Sequence, residues 1–214
     1  MTTLKAEVIK YSKKLNITNL SVLRSGNISV RVKEKGVDGF YITPSGTKYS
    51  SLKVKDIVFV SLKGIFDKNK KKPSSEWRFH QDIYVNKKDA KAIVHAHSTC
   101  ATAVSSHQKN IPAFHYMVAV AGGEDLKCTK YATFGTKQLS RNIIKALKNR
   151  SACLIANHGQ VAFGNNLDKA FELAQEVENI CHQYINALRI GIPKILSKKE
   201  MKIVLEKFKN YKKG

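Results

Sequence analysis

The sequence predicts one α/β domain with a central, mainly antiparallel β-sheet flanked by helices on both faces. The chain has 214 residues, enough to bury a substantial core, and shows no internal repeat, low-complexity linker or clear boundary. Strand-like and helix-like segments are interspersed, and several strand-like segments follow one another early, which favours a mixed or antiparallel sheet. We therefore expect residues 1–214 to form a single domain.

The first half of the chain contains most of the predicted strands. Apolar residues recur at helical spacing over residues 2–16, whereas "GNISVRV", "GFYITPSG" and "DIVFVSLKG" have strand character. An exposed loop, "FDKNKKKP", leads into a predicted helix over 74–86, for which Ser74 or Ser75 is a plausible N-cap. A buried strand, "AKAIVHAH", and a short helix of small residues, "STCATAVSSH", follow.

The second half is predicted to be mainly helical. "LSRNIIKALKN" is expected to be a helix, and "SACLIANHGQVAFG" two strands broken at 157–159. A long helix over 166–191 and an amphipathic helix over 197–211 complete the chain. The apolar stripe of the long helix comprises Leu173, Val177, Ile180, Cys181, Tyr184 and Leu188.

The charge balance is strongly basic, with 38 Lys plus Arg against 16 Asp plus Glu and a net charge of +22. Such a field attracts nucleic acids or phosphorylated small molecules. The lysines are scattered, however, and no basic stripe is interleaved with aromatic residues. We therefore expect a solvated lysine-rich surface and no nucleic-acid partner.

The cysteines and the apolar runs indicate a cytoplasmic protein without a membrane partner. The four cysteines are widely spaced and form no CxxC pair, as expected for free thiols in a reducing compartment. The N-terminal stretch has no apolar region of the kind that a secretory signal requires. No apolar run approaches the roughly 20 residues that span a bilayer.

Three histidines are candidate metal ligands. His95 and His97 lie two apart at the end of a predicted buried strand, where alternate side chains point to the same face. Catalytic zinc typically has three protein ligands, and His158 in "ANHGQ", next to Gly159, is the best third candidate. The remaining histidines have no such spacing and are expected to be structural: His80, His107, His115 and His182.

Several polar residues near predicted turns allow two interpretations. Glu76, near the start of a helix, is either a capping acid or a general base beside the metal. Ser74, Ser75 and the small-residue turns at 25–27 and 44–46 are either ordinary turns or parts of one phosphate cradle. No Walker motif and no GxGxxG is present, so nucleotide binding has no support.

The segments "SGNISVR", "ITPSG", "PSSEWRFH", "VHAHSTCATAVS", "IPAFHYMVAVAGG", "YATFGT", "NHG" and "LEKFKNY" occur in the order and spacing of one family. Over nearly its whole length, the chain resembles the class II, zinc-dependent L-fuculose-1-phosphate aldolases. The resemblance implies the fold of the class II aldolase and ribulose-phosphate 4-epimerase superfamily. It also implies a homotetramer with active sites at subunit interfaces.

The resemblance further implies a reaction and the residues that carry it. L-fuculose 1-phosphate would be cleaved reversibly to dihydroxyacetone phosphate and L-lactaldehyde, with one Zn²⁺ per subunit as Lewis acid. The zinc ligands would be His95, His97 and His158. Glu76 would move the proton at C3, for which apolar or like-sign neighbours would have to raise its pKa towards neutrality. Tyr116, from a neighbouring subunit, would exchange the proton of the C4 oxygen.

The remaining site residues implied by the resemblance bind the two ends of the substrate. Tyr211, also from a neighbouring subunit, would shape the aldehyde pocket. The phosphate group would contact Asn27, Ser45, Gly46, Ser74 and Ser75. One departure lies beside this loop, where Leu23 and Arg24 replace a glycine-rich segment. Arg24 could add a phosphate contact or narrow the site.

Other functions on the same scaffold stay open at this point. A pentulose-5-phosphate 4-epimerase and a methylthioribulose-1-phosphate dehydratase are both compatible with the histidines. A non-catalytic nucleic-acid-binding protein would use the charge alone, although the complete set of histidines and Glu76 argues against it.

Overall fold

A computed structural model describes residues 3–211, and its centre is a six-stranded sheet in the order β3-β2-β1-β4-β6-β5. All neighbouring strands are antiparallel, which confirms the predicted fold class. The strands are Asn27–Glu34 (β1), Val37–Ile42 (β2), Val58–Ser61 (β3), Ala92–Ala96 (β4), Ala152–Ile155 (β5) and Gly159–Gly164 (β6). The helices are Leu4–Ile17 (α1), Trp77–Asn86 (α2), Thr99–Ser105 (α3), Lys137–Ala146 (α4), Leu167–Ile190 (α5) and Lys198–Tyr211 (α6).

The helices cover both faces of the sheet and enclose two separate cores. One core packs beneath α1, α3 and α5, and the other beneath α2 and α4. Strand β4 alternates between them, since Val94 belongs to the first core and Ile93 to the second. Because β4 lies between β1 and β6 and both its faces are buried, its sequence is almost continuously apolar. The polar His95 therefore stands out at its end.

Helix α2 begins later than the sequence predicts. Its first residue is Trp77, and Glu76 occupies the N-cap position, so the proposal that Ser74 or Ser75 is the cap is wrong. The reason is a tertiary contact: the backbone N–H of Ser74 donates to the carbonyl of Thr43 at 3.0 Å. This contact keeps the backbone extended at Ser74, alongside the loop that contains Thr43.

The remaining differences are small. Leu188 is 48% exposed, so the buried stripe of α5 ends before it. Three 3₁₀ turns were not predicted, at Tyr49–Ser51, Val54–Asp56 and Tyr116–Ala121. A small third core of Ala113, Ala119 and Met201 joins the last of these turns to α6. Within residues 3–211, no helix combines the length and the apolar character needed to cross a membrane.

Candidate active site

The central strand β4 positions the first candidate ligand. His95 lies directly opposite Asn27 of β1, and residues opposite each other in an antiparallel pair project to the same face. The His95 ring is fully buried, and its Nδ1–H donates to the carbonyl of Gln160 at 2.7 Å. This bond orients Nε2 towards His97 and Glu76, and a backbone anchor of this kind is typical of a metal-binding histidine.

Two further imidazoles converge on this nitrogen. His97 lies just beyond the end of β4, and its Nε2 is 2.9 Å from Nε2 of His95 and 2.9 Å from Nε2 of His158. His158 lies on the turn between β5 and β6, immediately before Gly159. A Cβ on Gly159, which has a φ of 157°, would lie 2.3 Å from the carbonyl oxygen of Ala96. Only glycine permits this close approach.

Glu76 completes the cluster from the other side. Its Oε2 lies 3.1 Å from Nε2 of His95, and its Oε1 lies 3.3 Å from Nε2 of His158. One ligand atom from each of Glu76, His95, His97 and His158 falls within 4.8 Å of the others. The carboxylate is buried, yet Oε1 has no hydrogen-bond partner. A buried acceptor of this kind requires a counterpart, and a divalent cation among three nitrogens and one oxygen supplies it.

The electrostatics of the cluster favour metal binding. Burial, reinforced by neighbouring histidine charge, lowers the pKa of His97 to about 3 and that of His158 to about 4, so both rings present neutral lone pairs. Burial raises the pKa of Glu76, but the surrounding imidazoles, His95 above all, outweigh it and hold the pKa below its ordinary value. The expectation of a raised pKa is therefore not met, and Glu76 is an ionised carboxylate at neutral pH.

Two of the predicted phosphate-binding residues are hydrogen-bonded to each other. The Asn27 amide nitrogen donates to Oγ of Ser74 at 3.1 Å and to Oε2 of Glu76 at 3.1 Å. The backbone N–H of Ser45 donates to the carbonyl of Lys72 at 3.0 Å, so the loops that contain Ser45 and Ser74 run side by side. The structure thus places the candidate phosphate loop directly beside the carboxylate.

The other loop residues lie at the surface. Gly46 and Ser75 are exposed, and the guanidinium of Arg24 donates to the carbonyl of Gly46 at 3.4 Å. Arg24 therefore lies along the rim of this loop. Its neighbour Leu23 is 62% exposed and adopts a left-handed φ of 58°, a conformation in which a glycine has less steric strain.

The structure does not bring Tyr116 into the histidine cluster of the same chain. Tyr116 begins a 3₁₀ turn, is 49% exposed and packs against His115 with the two rings tilted by 45°. It lines a cavity of about 510 Å³ between this turn and α6, and its described contacts do not include the three histidines. Tyr211 is the last residue of α6, and its side chain lies outside the described residues.

The structure shows two further residues at the site that sequence reasoning did not identify. Gln160 holds His95 through its carbonyl, and its side chain donates to Oγ of Ser98 at 2.8 Å, next to His97. His80, expected to be merely structural, contacts the Asn27 side chain. Its spacing four residues after Glu76, one helical turn, was the available signal.

Comparison with known proteins agrees with this geometry. A family model described as Class II Aldolase and Adducin N-terminal domain matches residues 6–185. A 5-methylthioribulose-1-phosphate/5-deoxyribulose-1-phosphate aldolase from Rhodospirillum rubrum is 45% identical over 204 residues, which cover 95% of this chain and 90% of that protein. The L-fuculose phosphate aldolase of Escherichia coli K12 is 47% identical over 188 residues, with 87% and 85% covered.

A solved structure described as L-fuculose 1-phosphate aldolase superposes with a TM-score of 0.90 at 42% identity and covers 98% of both chains. The chain therefore belongs to the class II aldolase family, whose members are metal-dependent lyases.

Proposed function

We propose that this class II aldolase binds one Zn²⁺ per subunit and cleaves L-fuculose 1-phosphate, or a closely related 1-phosphoketose, to dihydroxyacetone phosphate and an aldehyde. The observation that carries this is the set of three converging imidazoles beside a buried carboxylate, one oxygen of which accepts no hydrogen bond. His95, His97 and His158 would hold the ion. Zn²⁺ bound there supplies a Lewis acid that stabilises the negative charge developing on the ketone fragment.

The side chains would carry the proton transfers. In the cleavage direction the C4 hydroxyl loses its proton, the C3–C4 bond breaks, and its electron pair passes to the ketone fragment. In the synthetic direction Glu76 would remove the proton at C3 as an ionised carboxylate. In the cleavage direction Glu76 would first take up one proton from solvent and then deliver it to C3. Asn27, Ser45, Gly46, Ser74 and Ser75 would bind the phosphate group through side-chain and backbone donors, next to this carboxylate.

The group that passes the C4 hydroxyl proton on to solvent would come from a second subunit. Because Tyr116 makes no described contact with its own histidine cluster, we propose that it reaches the cluster of a neighbour in a homotetramer. Tyr211 would line the aldehyde pocket of the same neighbour. Mixing the Glu76→Gln and Tyr116→Phe variants tests this, since mixed tetramers contain some intact sites. Activity above that of either variant alone is expected, and no recovery in mixed tetramers would exclude shared sites.

The aldehyde is the part of the substrate that the site constrains least. The relative from Rhodospirillum rubrum is named for 5-methylthioribulose 1-phosphate and 5-deoxyribulose 1-phosphate. The match to it covers 95% of the present chain. Cleavage of these substrates between C3 and C4 also gives dihydroxyacetone phosphate, with methylthioacetaldehyde or acetaldehyde as the second product. These 1-phosphoketoses are the second candidate substrates, and the chemistry at C3 is the same.

The deciding experiment follows dihydroxyacetone phosphate release from each 1-phosphoketose with a coupled dehydrogenase. Zinc-loaded protein is compared with chelated protein and with Glu76→Gln. The matched control is Glu172→Gln on α5, because Glu172 is exposed and forms a surface ion pair with Lys169. We expect release to fall by about 10²- to 10⁴-fold in Glu76→Gln and to persist in the control.

The ratio of kcat/KM between the three substrates identifies the preferred aldehyde. Stoichiometric zinc without release from any of the three would refute the proposal. L-ribulose 5-phosphate and the dehydration of methylthioribulose 1-phosphate would then be assayed.

A further inference from the structure

A continuous chain of buried hydrogen bonds extends behind Glu76. The Ser29 hydroxyl lies 2.8 Å from the Tyr84 hydroxyl and 2.7 Å from Nδ1 of His80. Nε2 of His80 contacts Oδ1 of Asn27, and the amide nitrogen of Asn27 donates to Glu76 at 3.1 Å. All five side chains are buried, and His80 and Ser29 are completely inaccessible.

The donor and acceptor roles along this chain follow from its carboxylate end. The Asn27 amide nitrogen donates to both Glu76 and Ser74, so the amide presents its oxygen to His80. Nε2 of His80 must then carry the proton. Burial lowers the pKa of His80 to about 3, so the ring is neutral and has a single N–H. Nδ1 therefore accepts from Ser29, which in turn accepts from Tyr84.

We propose that His80 is a positioning residue whose Nε2–H fixes the Asn27 amide with both its N–H bonds directed at Glu76 and Ser74. The inference rests on the proposed function, in which Glu76 exchanges a proton and Ser74 contacts the phosphate group. One amide thus links the carboxylate to the candidate phosphate loop, at 3.1 Å on each side.

The three candidate histidine ligands meet this chain at Glu76, and His95 also has an anchor outside it. The His95 ring is fixed by the carbonyl of Gln160, on the opposite side from Asn27. Disturbing His80 should therefore lower kcat and weaken phosphate binding while zinc affinity stays nearly constant. Replacing a residue that only filled space in the core would not lower kcat and phosphate binding while leaving zinc affinity unchanged.

Two amide substitutions form a matched pair. In His80→Gln the side-chain nitrogen reaches the position of Nε2 and can still donate to Asn27, whereas in His80→Asn it reaches only the position of Nδ1. We expect kcat to fall about 10- to 100-fold in His80→Asn, with KM raised, and to stay within about fivefold of the parent in His80→Gln. Tyr84→Phe removes a buried hydrogen bond at the far end and should leave kcat nearly unchanged.

A second readout does not depend on aldolase activity. Nitrogen-15 NMR of histidine-labelled protein reports the tautomer, with the His80 signals identified by their absence in His80→Gln. A protonated Nε2 is expected, together with weaker binding of inorganic phosphate by zinc-loaded His80→Asn. A protonated Nδ1, or equal phosphate binding by the Asn and Gln variants, would overturn the proposal. The expected NMR and phosphate results without any aldol cleavage would instead refute only the proposed reaction.

Discussion

Replacing Gly159 with alanine tests whether the histidine cluster depends on the close approach of β6 to the end of β4. The new methyl carbon would lie 2.3 Å from the carbonyl oxygen of Ala96 and 3.2 Å from Cα of His97, where ordinary contacts begin at 3.4 Å. The two segments must therefore separate by about 1 Å. His158 adjoins one of these segments and His97 belongs to the other, so the displacement acts directly on the three-histidine geometry.

The expected effects follow from that displacement. Misplacing catalytic groups by about 1 Å lowers kcat/KM by about 10²-fold. Zinc affinity, measured by competition with a chromophoric chelator, should fall about 10- to 100-fold. The free energy of unfolding of the metal-free protein, measured in urea, should fall by roughly 1 to 3 kcal/mol from overpacking in addition to backbone strain.

Gly191→Ala separates the contact from the backbone strain. Gly191 has a φ of 152°, close to the 157° of Gly159, but no atom lies within 4 Å of an added Cβ. This variant should therefore lose some stability and retain both zinc affinity and activity. If Gly159→Ala binds zinc and turns over substrate as well as Gly191→Ala does, the cluster does not depend on the close approach.

Three further outcomes are expected. The contribution of His80 to the free energy of unfolding is fully present above pH 6.5 and is lost as the pH falls towards 3, because the unfolded chain binds a proton that the buried ring excludes. The free energy of unfolding of metal-free protein, measured in urea at a series of pH values, should therefore change more steeply with pH than that of His80→Gln, by up to about 1.4 kcal/mol per pH unit. Leu23→Gly should raise the free energy of unfolding by about 0.5 to 1 kcal/mol by relieving a left-handed φ, and an unchanged urea midpoint would show that this loop stores no strain. Glu178 caps α3 by accepting from the backbone N–H groups of Cys100 and Ala101 at 2.7 and 2.8 Å. Glu178→Gln should therefore lower the free energy of unfolding by about 1 kcal/mol. A smaller loss than in the exposed Glu172→Gln control would contradict the cap.

Local periodicity was sufficient to predict that His95 and His97 point towards the same side. Two residues apart on a strand means a shared face, so His95 and His97 had to point the same way. A turn that requires glycine follows His158, and the structure shows that this turn brings the chain back against the end of β4. The six strands were likewise visible, because their alternation or apolar character is a property of short segments.

The features that were not predictable depend on tertiary contacts. Helix α2 starts at Trp77 because Ser74 pairs with a loop about 30 residues earlier, which no local propensity reports. The role of His80 depends on the register that places Asn27 opposite His95. The lowered pKa of Glu76 depends on imidazoles from two other segments outweighing burial.

The candidate ligands come from three separate stretches of the chain, with His97 and His158 61 residues apart. An ion held by all of them would act as a reversible cross-link between the start of α2, the end of β4 and the β5–β6 turn. Each tenfold rise in free metal above the dissociation constant would stabilise the folded chain by about 1.4 kcal/mol. The protein's resistance to heat and proteolysis would then rise and fall with the zinc supply of its surroundings.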